Sequence, residues 1–469
     1  MTEHVEGLGK LAADAPGLEI VTEGELLQET GRDTWMRSLM QARASGREPR
    51  AGAVLRPGNT TELSAALRWA GETGTPVLPY GHGSGVCGGV LASAGSVVVD
   101  LRRMDAVLNI DDVSLRATVQ AGMRGSDFEA ALNERGLTMG HCPQSIEISS
   151  VGGWCATRAS GQFSTLYGNI EDMLLGCEFV LPGGTVIRLA SSTRSATGPD
   201  LKHMLMGSEG TLGVFSELTF RVHPLPDCKR GQAFTVPDFA AGVESLRLIM
   251  RGGWRPAVTR LYDAAEAGRH FAGMAEGAPA LLFLSEGPES LVQAESAAIA
   301  AIVEAQGGTP RGEEPVLSWM EHRNQVPTFD SLLDQGLVVD TIEVAIAWDR
   351  LSALYDDVSK KGGEIEDMLL MSGHVSHCYT HGANIYFTFV ASQPDLERGL
   401  EIYDRAWETT MRAVHEAGGT IAHHHGIGRV RRGWLKAELG EGVELLRALK
   451  DSLDPAGIMN PGVLLEPAE

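Results

Sequence analysis

Residues 79–85 read Pro79-Tyr80-Gly81-His82-Gly83-Ser84-Gly85, and they directly follow the short apolar run Pro76-Val77-Leu78. The apolar run predicts a buried strand, so the glycines lie in the loop that leaves it. Glycine lets backbone N–H groups turn towards one point and form a concave site for an anion, without a lysine. The segment therefore predicts a loop that holds the phosphates of a dinucleotide, although such turns also occur after strands in loops without a ligand.

Two well-known phosphate-binding patterns do not match this segment. A Rossmann fingerprint needs G-x-G-x-x-G at the start of a helix and an acidic residue about twenty residues later. Here Val86-Cys87-Gly88-Gly89 follows the loop and is a poor start for a helix. The G-K-[S/T] of a P-loop is also missing from the sequence.

Two later segments have the same small, glycine-rich character. Residues 149–161 read Ser-Ser-Val-Gly-Gly-Trp-Cys-Ala-Thr-Arg-Ala-Ser-Gly, and residues 206–213 read Met-Gly-Ser-Glu-Gly-Thr-Leu-Gly. Their glycines permit a close approach of the backbone to a flat ring system. Three such segments within one stretch of the chain favour a shared ligand over three unrelated loops.

Helix and strand signals alternate between residues 50 and 225. Asn59-Thr60-Thr61-Glu62 predicts the start of a helix, and Gly74 predicts its end. A second capping pattern, Ser126-x-x-Glu129, predicts a helix that closes at Gly136. The apolar or alternating runs between and around these helices predict strands at Pro76–Pro79, Ser96–Leu101, Ala106–Ile110 and Ser114–Gln120.

The pattern changes after Pro224-Leu225-Pro226, where amphipathic helices alternate with apolar strands such as Ala280–Leu284 and Ala383–Val390. Apolar residues from Leu400 to Val414 recur at helical spacing and predict one long helix that ends at Gly418-Gly419. We therefore predict an α+β chain in which residues 1–47 are a helical lead-in and 48–226 bind the cofactor. Residues 227–415 then form a cap or substrate domain built on an antiparallel sheet with helices, and 416–469 return to the cofactor site.

Composition narrows the classes of function. The chain has 469 residues, of which 43% are hydrophobic and 21% charged, as in soluble proteins with more than one domain. A formal net charge of −22 argues against nucleic acid or an anionic membrane as a partner. Six scattered cysteines without a C-x-x-C pair favour a reducing compartment. Because we find neither a signal-peptide pattern nor an apolar run long enough to span a membrane, we expect a cytoplasmic protein, for which a homodimer is compatible.

The glycine-rich segments, together with Ala422-His423-His424-His425-Gly426-Ile427-Gly428, resemble the flavoproteins of the vanillyl-alcohol-oxidase (PCMH-type) family, and within it the branch of alkylglycerone-phosphate synthase. The resemblance extends from about Pro49 to Leu465. It implies a PCMH-type FAD-binding domain of two subdomains, followed by the cap domain. His82 is one place away from the position where some relatives attach FAD, so the resemblance implies FAD that is not covalently bound.

The resemblance also implies which residues contact FAD. The first loop contributes Pro79, Tyr80, Gly81, His82, Gly83, Ser84 and Gly85. The second region contributes Ser145, Ser149, Ser150, Gly152, Gly153, Thr157, Arg158, Ala159 and Ser160. The third contributes Glu209, Gly210, Thr211, Leu212, Gly213 and Val214.

The histidines of the chain raise the question of a metal. His423, His424 and His425 are consecutive and therefore point in different directions, and His374, His377 and His381 are close in sequence without a cysteine or carboxylate set. Zinc-using D-2-hydroxy-acid dehydrogenases of the same fold resemble this chain as well, but their metal-ligand positions hold Tyr379, Tyr386 and His424 here. We therefore predict no metal, and histidines that line a pocket or pack in the core.

The synthase pattern retains Tyr386, the histidine run and Arg260. By this resemblance Tyr386 acts as an acid or base beside the flavin, while the histidines lower its pKa or relay a proton. Arg260 would hold an anionic group of a small-molecule substrate. The alternatives are a tyrosine packed in the core and an arginine in a salt bridge.

One departure bears on the reaction. Phe329, followed by Asp330, stands where the synthase has a substrate-binding arginine, and Arg323 is nearby in sequence. Since an aromatic and an acidic residue serve a phosphate poorly, the sequence favours an FAD-dependent oxidoreductase that oxidises a hydroxy acid or alcohol by hydride transfer to flavin N5. The alternatives are the synthase reaction itself, which exchanges an acyl for an alkoxy group, and a flavin-binding protein without turnover.

Overall fold

In the computed structural model, which describes residues 5–275, 277–325 and 328–466, the glycine-rich loop leaves the edge strand of a small sheet. Its strands lie in the order β1-β2-β4-β3, and β2, β4 and β3 are parallel. Residues 458–460 run along the outer edge of β3, because Val77 N–H donates to Ile458 O and Asn460 N–H donates to Val77 O. These strands are β1 (Glu19–Val21), β2 (Ala53–Arg56), β3 (Val77–Tyr80) and β4 (Val97–Asp100).

The helix predicted after Asn59 is confirmed at Thr60–Thr73. The Asn59 side chain accepts from Glu62 N–H at 3.0 Å, and Gly74 ends the helix in a left-handed conformation with φ 68°. Its buried face packs on the first sheet through Leu63, Ala66, Leu67 and Ala70, which are all fully buried. The sequence pattern was sufficient here because cap, period and stop all belong to one local segment.

The second sheet is antiparallel, with the order β5-β6-β10-β8-β9. The helix beside it, Gly125–Asn133, shows that the predicted Ser126 cap is wrong: Arg124 is the N-cap and no side chain caps the helix. Gly125 N–H donates to Ser149 O instead, so a bridge to the second glycine-rich segment sets where the helix starts. The strands are β5 (Val107–Asp111), β6 (Arg116–Gln120), β8 (Leu174–Val180), β9 (Val186–Leu189) and β10 (Val214–Arg221), and a two-stranded ribbon pairs β7 (Leu137–Thr138) with β11 (His223–Pro224).

The third sheet is the antiparallel sheet predicted for the second half of the chain. In the described residues its order is β15-β12-β14-β13-β17-β18-β16. The predicted long helix is confirmed at Leu396–Ala417, where Gly418 forms the left-handed end and one face is buried in the core of this domain. The strands are β12 (Cys228–Thr235), β13 (Val258–Tyr262), β14 (Ala280–Gly287), β15 (Thr309–Pro310), β16 (Leu337–Ala347), β17 (Met368–Val375) and β18 (Gly382–Ser392).

The N-terminal segment forms part of the first sheet and also contacts the cap. Residues 1–4 lie outside the described residues, and the rest contains helices as predicted, but it also supplies β1, which the sequence did not indicate. The helix Met36–Ser45 lies against Leu396–Ala417. Trp35 Nε1 donates to Tyr403 Oη at 3.1 Å, and Arg37 pairs with Asp404 at 2.8 Å. The segment thus ties the cofactor domain to the cap.

The remaining helices cover the faces of the three sheets. No helix in the described ranges has the length and apolar character needed to cross a membrane. The N-terminal and cofactor-domain helices not yet named are Leu8–Asp14, Leu26–Glu29, Val151–Thr157, Ser164–Tyr167, Ile170–Met173 and Leu201–Leu205, with 3₁₀ turns at Leu101–Arg103 and Ile146–Ile148. The later helices are Phe239–Arg251, Ala264–His270, Ala272–Ala275, Glu289–Ala305, Glu314–His322, Phe329–Asp334, Trp348–Gly363, Leu435–Leu439 and Gly442–Leu453, with a 3₁₀ turn at Arg432–Trp434.

Candidate active site

The first glycine loop presents a row of unused amides. Within the described part of the chain, the backbone N–H groups of residues 82–85 donate to no protein acceptor. The loop is held from outside, because Thr34 Oγ1 donates to Gly83 O and Thr34 N–H donates to Gly85 O. Gly83 has φ 72°, and a Cβ there would lie 2.5 Å from Tyr80 Oη. Consecutive free amides at the end of a parallel strand fit a diphosphate.

The second predicted segment lies directly against the first. A Cβ on Gly81 would collide with Ser150 Oγ. Ser150 caps the helix Val151–Thr157 and accepts from Gly153 N–H at 3.2 Å, while Ser149 Oγ accepts from Trp154 Nε1 at 2.8 Å. Gly152 N–H donates to Ala121 O, so the amides of both glycines are already used within the protein. The helix positions the segment, and its glycines allow the close packing.

A buried histidine beside this helix was not predicted. Both ring nitrogens of His141 lack a hydrogen-bond partner among the described residues, although the side chain is only 1% exposed. Its ring lies 4.6 Å from the Trp154 ring, and burial lowers its pKa to about 3. An orphaned polar group in this place fits a domain that encloses a polar cofactor. The signal in the sequence was a histidine four residues before the predicted contact Ser145.

The third segment closes the same region from the other side. A Cβ on Gly210 would lie 2.8 Å from Pro79 Cγ. The Glu209 carboxylate accepts from Ile427 N–H at 2.7 Å and from Gly428 N–H at 2.9 Å, and burial raises its pKa to about 7. Glu209 therefore joins the cofactor domain to the turn after the histidines, and its side chain is not free for a ligand.

Four other predicted contacts are either bonded to other protein groups or buried in the core. Ser160 Oγ lies 2.5 Å from Asn169 Oδ1 and 3.1 Å from His377 Nδ1, so it links the cofactor domain to the cap. Arg158 is left-handed with φ 56° and pairs with Glu171 at 3.2 Å. The side chains of Leu212 and Val214 are in the core, so they can meet a cofactor only through the backbone.

Tyr386 and the histidine run come together as predicted. Tyr386 lies on β18, and its Oη is 2.7 Å from His424 Nε2. His374 stacks on the tyrosine ring at 4.5 Å and pairs through Nδ1 with Glu266 at 2.8 Å. His425 meets the Tyr386 ring edge-on with a centroid distance of 5.7 Å. The arrangement gives one buried hydroxyl an imidazole partner and a fixed ring orientation.

A buried ion pair holds the histidine run in place, and the sequence did not reveal it. The Glu343 carboxylate accepts from the backbone N–H groups of His423 and His425 at 2.6 and 2.8 Å. Arg431 pairs with it at 3.1 Å, and both side chains are 0% exposed. Arg431 also donates to Gly426 O at 2.7 Å. The only signal was an acidic residue at a buried position of a strand, which requires a partner.

His423 extends the cluster towards Tyr379. His423 Nε2 is 2.6 Å from Tyr379 Oη, and its Nδ1 is 2.7 Å from His424 Nδ1. One ring nitrogen each of His377, His423 and His424 lie within 4.8 Å of one another, so this set could hold a metal ion. His377 Nδ1 is 2.6 Å from Ser164 Oγ, so most of these nitrogens already have protein partners. The absence of a metal stays a prediction.

The protonation states of the site follow mainly from burial. Burial, followed by the negative charge of Glu343, raises the pKa of Tyr386. That the histidines lower this pKa or relay a proton stays a prediction. Burial lowers the pKa of His423 to about 4 and that of His425 to about 3, and lowers that of His424 as well. Tyr386 is thus protonated and its imidazole partner neutral at physiological pH.

Arg260 is available for an anion. It is 8% exposed, its guanidinium lies 4.6 Å above the Trp319 ring, and it donates to Tyr262 Oη at 2.9 Å. Its Nε has no partner, and no carboxylate of the described residues pairs with it. Arg323 lies close enough for the two positive charges to repel, and burial and that repulsion lower its pKa. The salt-bridge alternative for Arg260 is therefore not supported.

Phe329 lies elsewhere. It begins the helix Phe329–Asp334 and packs partly buried against the core of the cap, while Asp330 pairs with Arg43 at 2.6 Å. Sequence matching suggested that these two residues stand at the substrate, but they instead bind the helix to the N-terminal segment. Phe329 and Asp330 therefore give no evidence for or against a phosphate group in the substrate.

Comparisons with known proteins agree with this geometry. Residues 51–190 match the FAD binding domain, and residues 226–464, about half of the chain, match the C-terminal domain of FAD linked oxidases. The chain belongs to the FAD-linked oxidase family. It is an FAD-dependent enzyme, and the free amides of residues 82–85 fit the diphosphate of FAD.

Individual relatives of this chain have names that indicate two kinds of chemistry. The uncharacterized FAD-linked oxidoreductase YgcU of Escherichia coli (strain K12) is 34% identical over 89% of this chain and 89% of its own length. The alkyldihydroxyacetonephosphate synthase of Dictyostelium discoideum is 29% identical over 92% of this chain and 76% of its own length. A solved alkyldihydroxyacetonephosphate synthase superposes with a TM-score of 0.81 at 26% identity, covering 98% of this chain and 86% of that one. The predicted family and the α+β fold are confirmed.

Proposed function

We propose that this chain oxidises a small hydroxy acid or alcohol. FAD, when bound, supplies the hydride acceptor, N5, for the hydrogen on the carbon that bears the hydroxyl. The observation that carries the proposal is the contact of 2.7 Å between Tyr386 Oη and His424 Nε2 in a partly buried site. When the carbon that bears the hydroxyl loses a hydride, the hydroxyl must lose its proton, and this pair is placed to take it.

The pair can move a proton without leaving a charge on the tyrosine. Tyr386 is protonated and therefore cannot act as an anionic base. It can accept the substrate proton on Oη while it passes its own proton to neutral His424. Glu343 and Arg431 hold the backbone of the histidine run, so His424 Nε2 keeps its position beside Tyr386 Oη.

The two arginines suggest a substrate with an anionic group. Arg260 has an unpartnered Nε and no carboxylate partner among the described residues. Arg323 donates to Gln162 Oε1 and lies near Arg260. A carboxylate or phosphate bound between them would relieve the repulsion, which favours a hydroxy acid over an uncharged alcohol.

The test is anaerobic flavin reduction by a panel of 2-hydroxy acids and alcohols, with Tyr386→Phe as the variant. We expect reduction to slow on the order of a hundredfold or more, because the proton acceptor is lost. FAD content per chain should stay at the wild-type value. Tyr355→Phe is the matched control, since Tyr355 Oη donates to Asp263 at 3.1 Å in another part of the cap. Equal reduction rates for wild type and Tyr386→Phe would contradict the proposal.

The synthase reaction is the second candidate, supported by the TM-score of 0.81 to a solved synthase and by the arginine pair. In that case acyl-dihydroxyacetone phosphate, supplied together with an alcohol, would bleach the flavin only transiently and yield an ether and the released carboxylate, without net reduction. An oxidase or dehydrogenase would instead leave the flavin reduced after an alcohol or hydroxy acid is added. Stopped-flow spectra with both types of substrate therefore distinguish the two reactions. A chain whose flavin responds to neither would be a binding protein without turnover.

A further inference from the structure

The proton taken by Tyr386 needs a way out of the buried site. We propose that His424, His423 and Tyr379 form a proton path from Tyr386 to a cleft on the surface. The inference rests on the proposed oxidation, because only that reaction releases one proton at Tyr386 in every turnover. Tyr379 and His423 are joined to Tyr386 through His424, so they act through Tyr386 and are positioning residues in the relay.

The path is an unbroken series of short contacts. Tyr386 Oη is 2.7 Å from His424 Nε2, and His424 Nδ1 is 2.7 Å from His423 Nδ1. His423 Nε2 is 2.6 Å from Tyr379 Oη. Both nitrogens of each imidazole are therefore engaged, one towards the substrate side and one towards the outside. An imidazole with partners at both nitrogens can receive a proton at one and release a proton from the other.

The outer end of the path reaches solvent. Tyr379, Thr380 and His381 line a surface cleft, and Thr380 and His381 are exposed. Asn169 Nδ2 lies 3.0 Å from Tyr379 Oη and orients the hydroxyl. The His381 ring stacks beside Tyr379 at a centroid distance of 6.0 Å. Tyr379 Oη also donates to Asn169 Oδ1 at 3.2 Å. An amide does not take up a proton, so in this proposal the proton that leaves Tyr379 passes to solvent in the cleft that the tyrosine lines.

The transfer balances at each atom. The substrate hydroxyl proton moves to Tyr386 Oη, and the tyrosine's own proton moves to His424 Nε2. The proton on His424 Nδ1 moves to His423 Nδ1, and the proton on His423 Nε2 moves to Tyr379 Oη, whose own proton passes to water. Each group gains one proton and loses one, so no charge stays in the site.

The surroundings favour this neutral relay over storage of the proton. Burial, followed by the neighbouring His425, lowers the pKa of His424, so a proton retained there would be unfavourable. The path is also rigid, because Glu343 holds the backbone of both histidines, and the His377 ring stacks on His423 at 5.0 Å. Ser164 Oγ, 2.6 Å from His377 Nδ1, in turn fixes His377.

The decisive experiment compares wild type, Tyr379→Phe and the control Tyr355→Phe, all loaded with FAD. Flavin reduction and the release of protons to a pH-indicator dye are followed together by stopped flow in H₂O and D₂O. For Tyr379→Phe we expect reduction to slow at least about tenfold, less than for the direct proton acceptor, with KM nearly unchanged. The solvent isotope effect should rise, and proton release should lag behind flavin bleaching. Tyr355→Phe should match wild type.

A second measurement does not depend on turnover. In ¹⁵N NMR of the FAD-loaded protein without substrate, His423 should be neutral, with one protonated nitrogen whose position shifts in Tyr379→Phe and not in Tyr355→Phe. Equal rates, isotope effects and proton release in wild type and Tyr379→Phe, with a wild type that is active, would overturn the path alone. A wild type whose flavin is reduced by no hydroxy acid or alcohol would overturn the proposed oxidation, and the path with it.

Discussion

Arg431→Met tests whether the buried ion pair organises the histidine run. Arg431 and Glu343 are both 0% exposed and lie 3.1 Å apart. The substitution keeps a long apolar side chain but leaves the Glu343 carboxylate in the core without its counter-ion. The carboxylate would still accept from the backbone N–H groups of the histidine run. The variant therefore removes a charge and little volume.

The expected cost follows from the contacts that are lost. Removing one partner of a buried ion pair costs about 3–5 kcal/mol, because the other charge stays buried and unpaired. Arg431 also donates to Gly426 O and Glu343 O, and its guanidinium lies 5.0 Å from the Trp407 ring. We therefore expect a decrease in the free energy of unfolding at the upper end of that range, and slower flavin reduction because the histidine run is no longer held.

The assay is chemical denaturation with FAD in constant excess, alongside flavin content and the rate of flavin reduction. Arg412→Met is the matched control, since Arg412 forms an exposed pair with Glu408 one helical turn away, which is worth about 0.3–0.5 kcal/mol. If Arg431→Met costs no more than Arg412→Met, the ion pair does not stabilise the site and our reasoning is wrong.

The dependence on pH gives an independent check. In the wild type, burial raises the pKa of Glu343, but Arg431 and the nearby histidines lower it by a larger amount. The pKa of Glu343 is therefore below its ordinary value. Such a group stabilises the fold above its unfolded pKa, and the stabilisation is lost as the pH falls through the folded pKa. Without Arg431 the folded pKa should lie above the unfolded value, which reverses the sign. The deficit of the variant should therefore grow as the pH rises from 5 to 8.

Three further predictions concern the cofactor and metals. Gly83→Val should abolish FAD binding at equal folded yield, because its Cβ would lie 2.5 Å from Tyr80 Oη, whereas Gly74→Val, also left-handed but with open space around it, should keep its FAD. Wild-type FAD content in Gly83→Val would show that the loop has another role. Acid precipitation should release all flavin into the supernatant, and a yellow washed pellet would mean a covalent bond. Chelation should leave activity unchanged, and stoichiometric zinc by elemental analysis would place a metal at His377, His423 and His424.

Local segments of the sequence were enough for much of the fold. The helix Thr60–Thr73 has its cap, its apolar period and its glycine stop within sixteen residues, and the long helix Leu396–Ala417 was found in the same way. The glycine loop after β3 was predicted from a strand followed directly by glycines, and the two later glycine-rich segments strengthened that interpretation. The resemblance of three glycine-rich segments and the histidine run identified the family. In each case, the residues that determine the feature lie close together in the sequence.

Tertiary structure decided what depends on distant partners. Gly125 starts its helix because it bridges to Ser149, not because Ser126 caps it. Glu343 and Arg431 are 88 residues apart, and neither residue alone signals that a carboxylate holds the histidine backbone. Phe329 matched a substrate position by alignment but packs, partly buried, against the core of the cap. The protonation states of Tyr386 and the histidines follow from burial and neighbouring charge, and these exist only after the three sheets have assembled around the site.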